Sequence, residues 1–152
     1  MRAAVWTLAV TLAACGGKGD SGGEALPPVD VAGSYNVQVT GTSGCDGQAG
    51  LIDEWARGPL QVSGAGAALR FDFGQDAVVD GEVDSKGQLR LGGRFAVGGV
   101  ERSLSGGGQV TEEDDQRTID AEIAVTVALD PPCTIDGLLV ATELVDLESP
   151  TR

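Results

Sequence analysis

Three acidic residues lie near a tryptophan in the segment that joins the first two predicted strands: Asp46, Asp53 and Glu54 come shortly before Trp55. Paired carboxylates can perform acid–base chemistry without histidine, as in glycoside hydrolysis. An apolar ring beside one of them would raise its pKa. A lone tryptophan in this position is, however, more typical of a plug over the edge of a hydrophobic core. We therefore expect a structural role for the segment and no catalytic residues.

Two further acidic clusters invite comparison with calcium loops. In Asp80–Gly87 (DGEVDSKG), an EF-hand would need glycine at the sixth position and glutamate at the twelfth. Those positions are Ser85 and Leu91. The second cluster, Glu112–Asp115, has four adjacent carboxylates that repel one another. We expect outward strand residues in the first cluster, a solvated hairpin tip in the second, and no metal site in either.

Composition excludes several other chemistries. The chain of 152 residues contains no histidine, which removes the commonest general base and the commonest zinc ligand. Its 23 acidic and 10 basic residues give a net charge of −13, which repels a phosphate backbone and excludes nucleic acid as a partner. The sequence predicts no cofactor and no enzymatic activity.

The first fourteen residues have the features of an export signal. Arg2 precedes the apolar, uncharged segment Ala4–Ala14. Eleven helical residues rise only about 16 Å, roughly half the hydrocarbon core of a bilayer. We therefore predict a signal peptide over residues 1–14 rather than a membrane-spanning helix.

The end of this segment, Leu12-Ala13-Ala14-Cys15, resembles the lipobox of bacterial lipoproteins. The resemblance implies that Cys15 becomes the mature N-terminus, with a diacylglyceryl group on sulfur and an acyl chain such as palmitate on nitrogen. Two or three chains anchor a protein stably in a membrane. Gly16 stands where aspartate would favour retention in the inner membrane, so the resemblance implies the outer membrane. An ordinary secreted protein with a chance cysteine is the alternative.

If Cys15 carries lipid, an even pair of cysteines is left, Cys45 and Cys133. An even remainder in an exported chain predicts one disulfide. Such a bond would tie an early segment of the domain to its last strand. A metal site is the alternative, but it lacks histidine partners and close spacing.

The remaining sequence divides into three parts. Residues 15–30 hold the lipidated N-terminus and a linker rich in glycine, serine and proline, which is typical of a flexible tether. Residues 31–148 form a single domain, and residues 149–152 are a short tail.

Apolar and polar residues alternate with a period of two through most of the domain, which predicts β-strands. Only residues 48–57 could form a short helix or lid. We expect Gly106–Gly108 to interrupt one strand, which would continue past a β-bulge. The predicted strands number about eight and are centred on Tyr35–Val39, Leu60–Val62, Leu69–Phe73, Val79–Val83, Leu89–Val97, Glu101–Ser105, Ile119–Leu129 and Thr134–Leu144.

Short connections favour an antiparallel meander, in which neighbours in sequence pair in space. The meander closes into a barrel or, alternatively, folds into a two-sheet β-sandwich. Closure removes the sheet edges, and the cysteine pair would bring the first and last strands together, so we predict the barrel. Its opening Gly33-x-Tyr35 is similar to the Gly-x-Trp opening of lipocalins, with tyrosine in place of tryptophan.

These features predict a lipid-anchored envelope protein with a non-enzymatic binding or structural role. A lipocalin-like carrier of a small apolar ligand is the alternative, because small inward residues such as Gly81, Gly93 and Ala121 could leave room for a cavity. A hydrolase that uses carboxylates is a further alternative and requires two acidic side chains that converge in one cleft.

Overall fold

The computed structural model describes residues 26–46 and 50–145, and in this part of the chain eight antiparallel strands form a closed barrel in sequence order. The predicted barrel is confirmed and the sandwich alternative is wrong. The predicted signal peptide, Cys15 and the predicted tail lie outside the described residues. The strands are β1 (Gly33–Ser43), β2 (Gly58–Ala65), β3 (Ala68–Asp72), β4 (Val78–Val83), β5 (Gln88–Val97), β6 (Val100–Glu113), β7 (Gln116–Val127) and β8 (Cys133–Glu143).

One short helix interrupts the meander between the first two strands. Helix α1 spans Gly50–Asp53, within the segment for which the sequence predicts a helix or lid. Among the described residues, no helix has the length and apolar character needed to cross a membrane.

The barrel closes where its first strand meets its last. β1 pairs with β8 from Tyr35↔Glu143 to Thr40↔Leu138, and again at Ser43↔Asp136 after an irregularity. Just beyond this ladder, Cys45 and Cys133 form the predicted disulfide, with their Cα atoms 5.4 Å apart. Backbone pairing and a covalent bond therefore secure the same seam.

Alternation along each strand fills the interior with apolar side chains. β7 is the clearest case, because Ile119, Ile123 and Val125 are buried whereas Asp120 and Glu122 face solvent. The two faces of this strand separate as its sequence pattern predicts.

The predicted interruption of β6 at Gly106–Gly108 is wrong, because its pairing with β5 and β7 continues through all three residues without a register shift. Gly106 and Gly108 instead allow β6 to lie close to β7. A Cβ atom on Gly108 would lie 1.9 Å from the carbonyl oxygen of Asp120, and one on Gly106 would lie 2.7 Å from that of Glu122. At these positions β6 and β7 approach too closely for any side chain.

Both ends of the barrel are covered by chain segments outside the sheet. Residues 28–32, the strap, lie across one end, where Val31 is buried and the Val29 amide donates to the Asp84 carbonyl over 3.2 Å. The strap thus includes residues 28–30 of the predicted linker. Residues 50–57, the cap, lie over the opposite end, with Ile52 and Trp55 buried.

Because β6 and β7 approach closely at Gly108 but not at Gly107, the two glycines should differ in how well they tolerate an added methyl group. Gly108→Ala should lower the free energy of unfolding by about 1–3 kcal/mol, because backbone must move to admit the methyl group. Gly107→Ala is the matched control, since its Cβ would lie 3.5 Å from the nearest atom, the Leu89 carbonyl oxygen, and its effect should stay within about 0.5 kcal/mol. Urea denaturation with the disulfide intact measures both, and equal losses would contradict the close approach.

Candidate functional site

The barrel interior is the first candidate site, because small inward residues can leave room for a ligand. The structure places Gly81 and Gly93 against larger neighbours. A Cβ atom on Gly81 would lie 2.6 Å from Cε2 of Phe71, and one on Gly93 would lie 3.1 Å from Cβ of Val79. These glycines accommodate neighbouring side chains and leave no space for a ligand beside them. The third residue, Ala121, is buried within the same core.

The capped end is the second candidate, and Trp55 is its centre. The indole is 1% exposed. It packs edge-on against Phe73 and Phe95, with ring centroids 5.1 Å and 4.9 Å away. Such edge-to-face contacts stabilise an aromatic cluster beyond the area that they bury. Trp55 is thus the plug that the sequence predicts.

A buried arginine lies beneath the cap, and the sequence analysis missed it. Arg102 has a side chain only 1% exposed, and its Nη1 donates to the carbonyl oxygens of Val97 at 2.8 Å and Val100 at 2.9 Å. Its Nη2 donates to Glu54 Oε2 at 3.2 Å. Alternation could have found it, because Arg102 lies two residues before the inward Leu104 and so points the same way.

At the capped end, two buried donors have no acceptor among the residues that the structure describes. These are Nε1 of Trp55 and Nε of Arg102. Buried N–H groups normally have a partner, and an unpaired one costs about 1–3 kcal/mol. This end of the barrel therefore combines tight apolar packing with unused hydrogen-bonding capacity.

Two of the three carboxylates near Trp55 form ion pairs with separate arginines. Asp53 binds Arg57, four residues further along the chain, at 2.8 Å, and Glu54 binds Arg102. Asp46 is exposed. The structure thus gives Asp53 and Glu54 separate cationic partners, whereas acid–base hydrolysis would use two carboxyl groups that converge in one cleft.

The strap end contains a bidentate ion pair between Arg117 and Glu143. Arg117 Nε donates to Glu143 Oε2 at 2.8 Å, and a second hydrogen bond joins Arg117 Nη2 to Glu143 Oε1. Arg117 Nη1 also donates to the Asp30 carbonyl at 2.8 Å. The bidentate pair lowers the pKa of Glu143 and raises that of Arg117. It holds β7, β8 and the strap together.

Tyr35 lies beside this pair, buried at the start of β1. Its hydroxyl donates to the Val31 carbonyl at 2.8 Å. Burial raises the pKa of Tyr35 to about 12, and the charges of Arg117, Glu143 and Asp30 make smaller contributions. The hydroxyl is fully committed to the strap, which indicates a structural role.

The two acidic clusters take the forms that the sequence predicts. Asp84 accepts hydrogen bonds from the amides of Lys86 and Gln88 at 2.8 and 2.9 Å, so it shapes the β4–β5 turn. Asp114 and Asp115 form the β6–β7 turn with φ of 51° and 62°. Within residues 26–46 and 50–145, no group of three potential ligands converges on a point where a metal ion could bind.

No protein-family model, curated protein or solved structure matches this chain. Its function must therefore be argued from its own residues.

The environment of Tyr35 predicts a specific alkaline transition. It is the only tyrosine, so phenolate absorbance reports it alone, and its midpoint in the native protein should be about 12 against about 10 when unfolded. Because the folded state disfavours the phenolate, the free energy of unfolding should fall by about 2–3 kcal/mol as the pH rises between these values. Tyr35→Phe should lose this part of the pH dependence. A native midpoint near that of the unfolded chain would contradict the burial.

Proposed function

We propose that this protein is a lipid-anchored lipoprotein of the bacterial outer membrane, and that its barrel is a non-enzymatic module that acts through its outer surface. The observation that carries the proposal is the closure of the described barrel. Phe71 and Val79 fill the space beside the inward glycines, Trp55 covers one end, and the strap covers the other. A domain arranged in this way offers partners its exterior.

The anchor is supported by the sequence and by the place where the domain begins. The described chain enters the fold at the strap, so a tether from Cys15 leads to that end of the barrel. Ten residues separate Cys15 from Leu26. A chain of that length with linker composition has a mean reach of about 16–19 Å. The anchored barrel would stay close to the lipid surface, while its excess of acidic over basic residues keeps it from lying flat on anionic headgroups.

The lipocalin-like carrier is the second candidate, and the closed eight-stranded barrel favours it. To bind an apolar molecule inside, the protein would have to move the cap, because Trp55 packs between Phe73 and Phe95. An organic extract of protein purified from membranes distinguishes the two proposals. A surface module should release only its anchor and bulk lipid, whereas a carrier should release one apolar molecule per protein.

Replacement of the proposed lipidation site should detach the protein from membranes. Cys15→Ser removes the sulfur that would carry diacylglycerol, so the protein should move from the membrane pellet to the soluble or unprocessed fraction. Intact mass spectrometry should show the acyl groups on the wild type only. Circular dichroism of Cys15→Ser should retain the β-sheet signal, since the disulfide uses Cys45 and Cys133. An unacylated wild-type N-terminus would disprove the anchor.

A further inference from the structure

Charge is distributed unevenly over the strands of this acidic barrel. The nineteen residues of β1 (eleven) and β2 (eight) include no aspartate, glutamate, lysine or arginine. Each of the other six strands carries at least two charged residues. Because β1 and β2 are neighbours in the sheet, their uncharged outer sides form one continuous surface.

This surface, the neutral face, extends onto the adjoining part of β8. The register places Gln38 of β1 beside Val140 of β8, and Thr40 beside Leu138. Leu138 is 41% exposed, which gives the surface an apolar residue at its β8 margin, beside Glu122 of β7. Its outward residues are Ser34, Asn36, Gln38 and Thr40 of β1, Pro59, Gln61 and Ser63 of β2, and Leu138, Val140 and Thr142 of β8.

One edge of β1 lacks a partner strand within the neutral face. β1 pairs with β2 only as far as Val37↔Gly58, whereas its pairing with β8 reaches Ser43. Beside residues 38–40 the described structure has an open cleft of about 400 Å³, bordered by Asp53 and Arg57. An uncharged strand with an open edge is a template for pairing with another strand.

We propose that the partner of the neutral face is a second copy of this chain. Two copies that each carry a net charge of −13 repel one another over the charged strands, so the neutral face is where they can meet. A basic partner would instead bind the acidic strands. Side chains such as Asn36 and Gln38 both donate and accept hydrogen bonds, so this surface complements itself across a two-fold axis. The inference rests on the proposed function, because it names the partner of a surface-acting module.

The proposed contact has a characteristic dependence on salt. Its centre holds no ion pair, while the surrounding charges repel over distances that salt shortens to about 8–10 Å. Association of the two copies should therefore strengthen as ionic strength rises. An interface made of complementary charges would weaken under the same change.

The test compares two pairs of substitutions that add the same charge on different faces. Gln38→Glu with Thr40→Glu places carboxylates in the neutral face, and Ser105→Glu with Thr111→Glu places them at exposed positions of β6. Sedimentation velocity of the full chain, extracted in non-ionic detergent, should show a dimer for the wild type and for the β6 variant. The neutral-face variant should dissociate at least tenfold more readily, because like charges would face one another. Thermal unfolding should confirm that both variants fold.

Disulfide trapping gives an independent measurement. Thr40→Cys should form a covalent dimer under mild oxidation, whereas Thr111→Cys should not. Monomers at every concentration and salt, or equal losses in the two glutamate variants, would overturn the proposal. So would a neutral face that cross-links only to a different envelope protein. A monomer that is acylated and membrane-bound would refute self-association and leave the proposed function standing, whereas an unacylated Cys15 would refute the anchor itself.

Discussion

The pairing of β1 with β8 is the constraint on which the rest of the structure depends. Without it the eight strands would form an open sheet with two exposed edges, and inward and outward faces would no longer be distinct. The Cys45–Cys133 bond secures this seam across a sequence separation of 88 residues. In the chain-entropy model a loop of that length stabilises the fold by about 4–5 kcal/mol.

Closure fixes how the interior can be filled. Once the barrel is closed, the inward side chains must fit a fixed volume. Glycine therefore occurs at inward positions where a neighbouring residue already occupies the space. The Phe71 ring occupies the space that a side chain at Gly81 would need, and the backbone of β7 occupies the space that one at Gly108 would need. The two ends are covered by chain segments that arginines of the barrel hold in place. At the cap, Glu54 forms an ion pair with Arg102. At the strap, Arg117, which is itself paired with Glu143, donates a hydrogen bond to the Asp30 carbonyl.

The sequence predicted the architecture because the period-two pattern and the cysteine pair both act through the backbone. It left both a filled interior and a cavity open, since whether Gly81 leaves space beside it depends on the side-chain conformation of Phe71 in the neighbouring strand. Nor did it predict the continuity of β6, because a run of three glycines is compatible both with a β-bulge and with two paired strands that lie unusually close together. The alternation of inward and outward residues could have placed Arg102 inside the barrel, but a charged residue is ordinarily expected to face solvent.

If the barrel acts through its exterior, as proposed, its partners contact the outer surface, where the strands differ in charge. On most of the surface, outward carboxylates keep the protein soluble and repel acidic neighbours. β1 and β2 lack these groups although they have as many outward positions to place them. β1 is also a strand whose second edge is only partly paired, as is that of β5 beyond Gly92. On β1, therefore, an uncharged surface coincides with backbone that can pair with another strand. In a chain with 22% charged residues, this coincidence distinguishes the neutral face as the part of the exterior suited to contact.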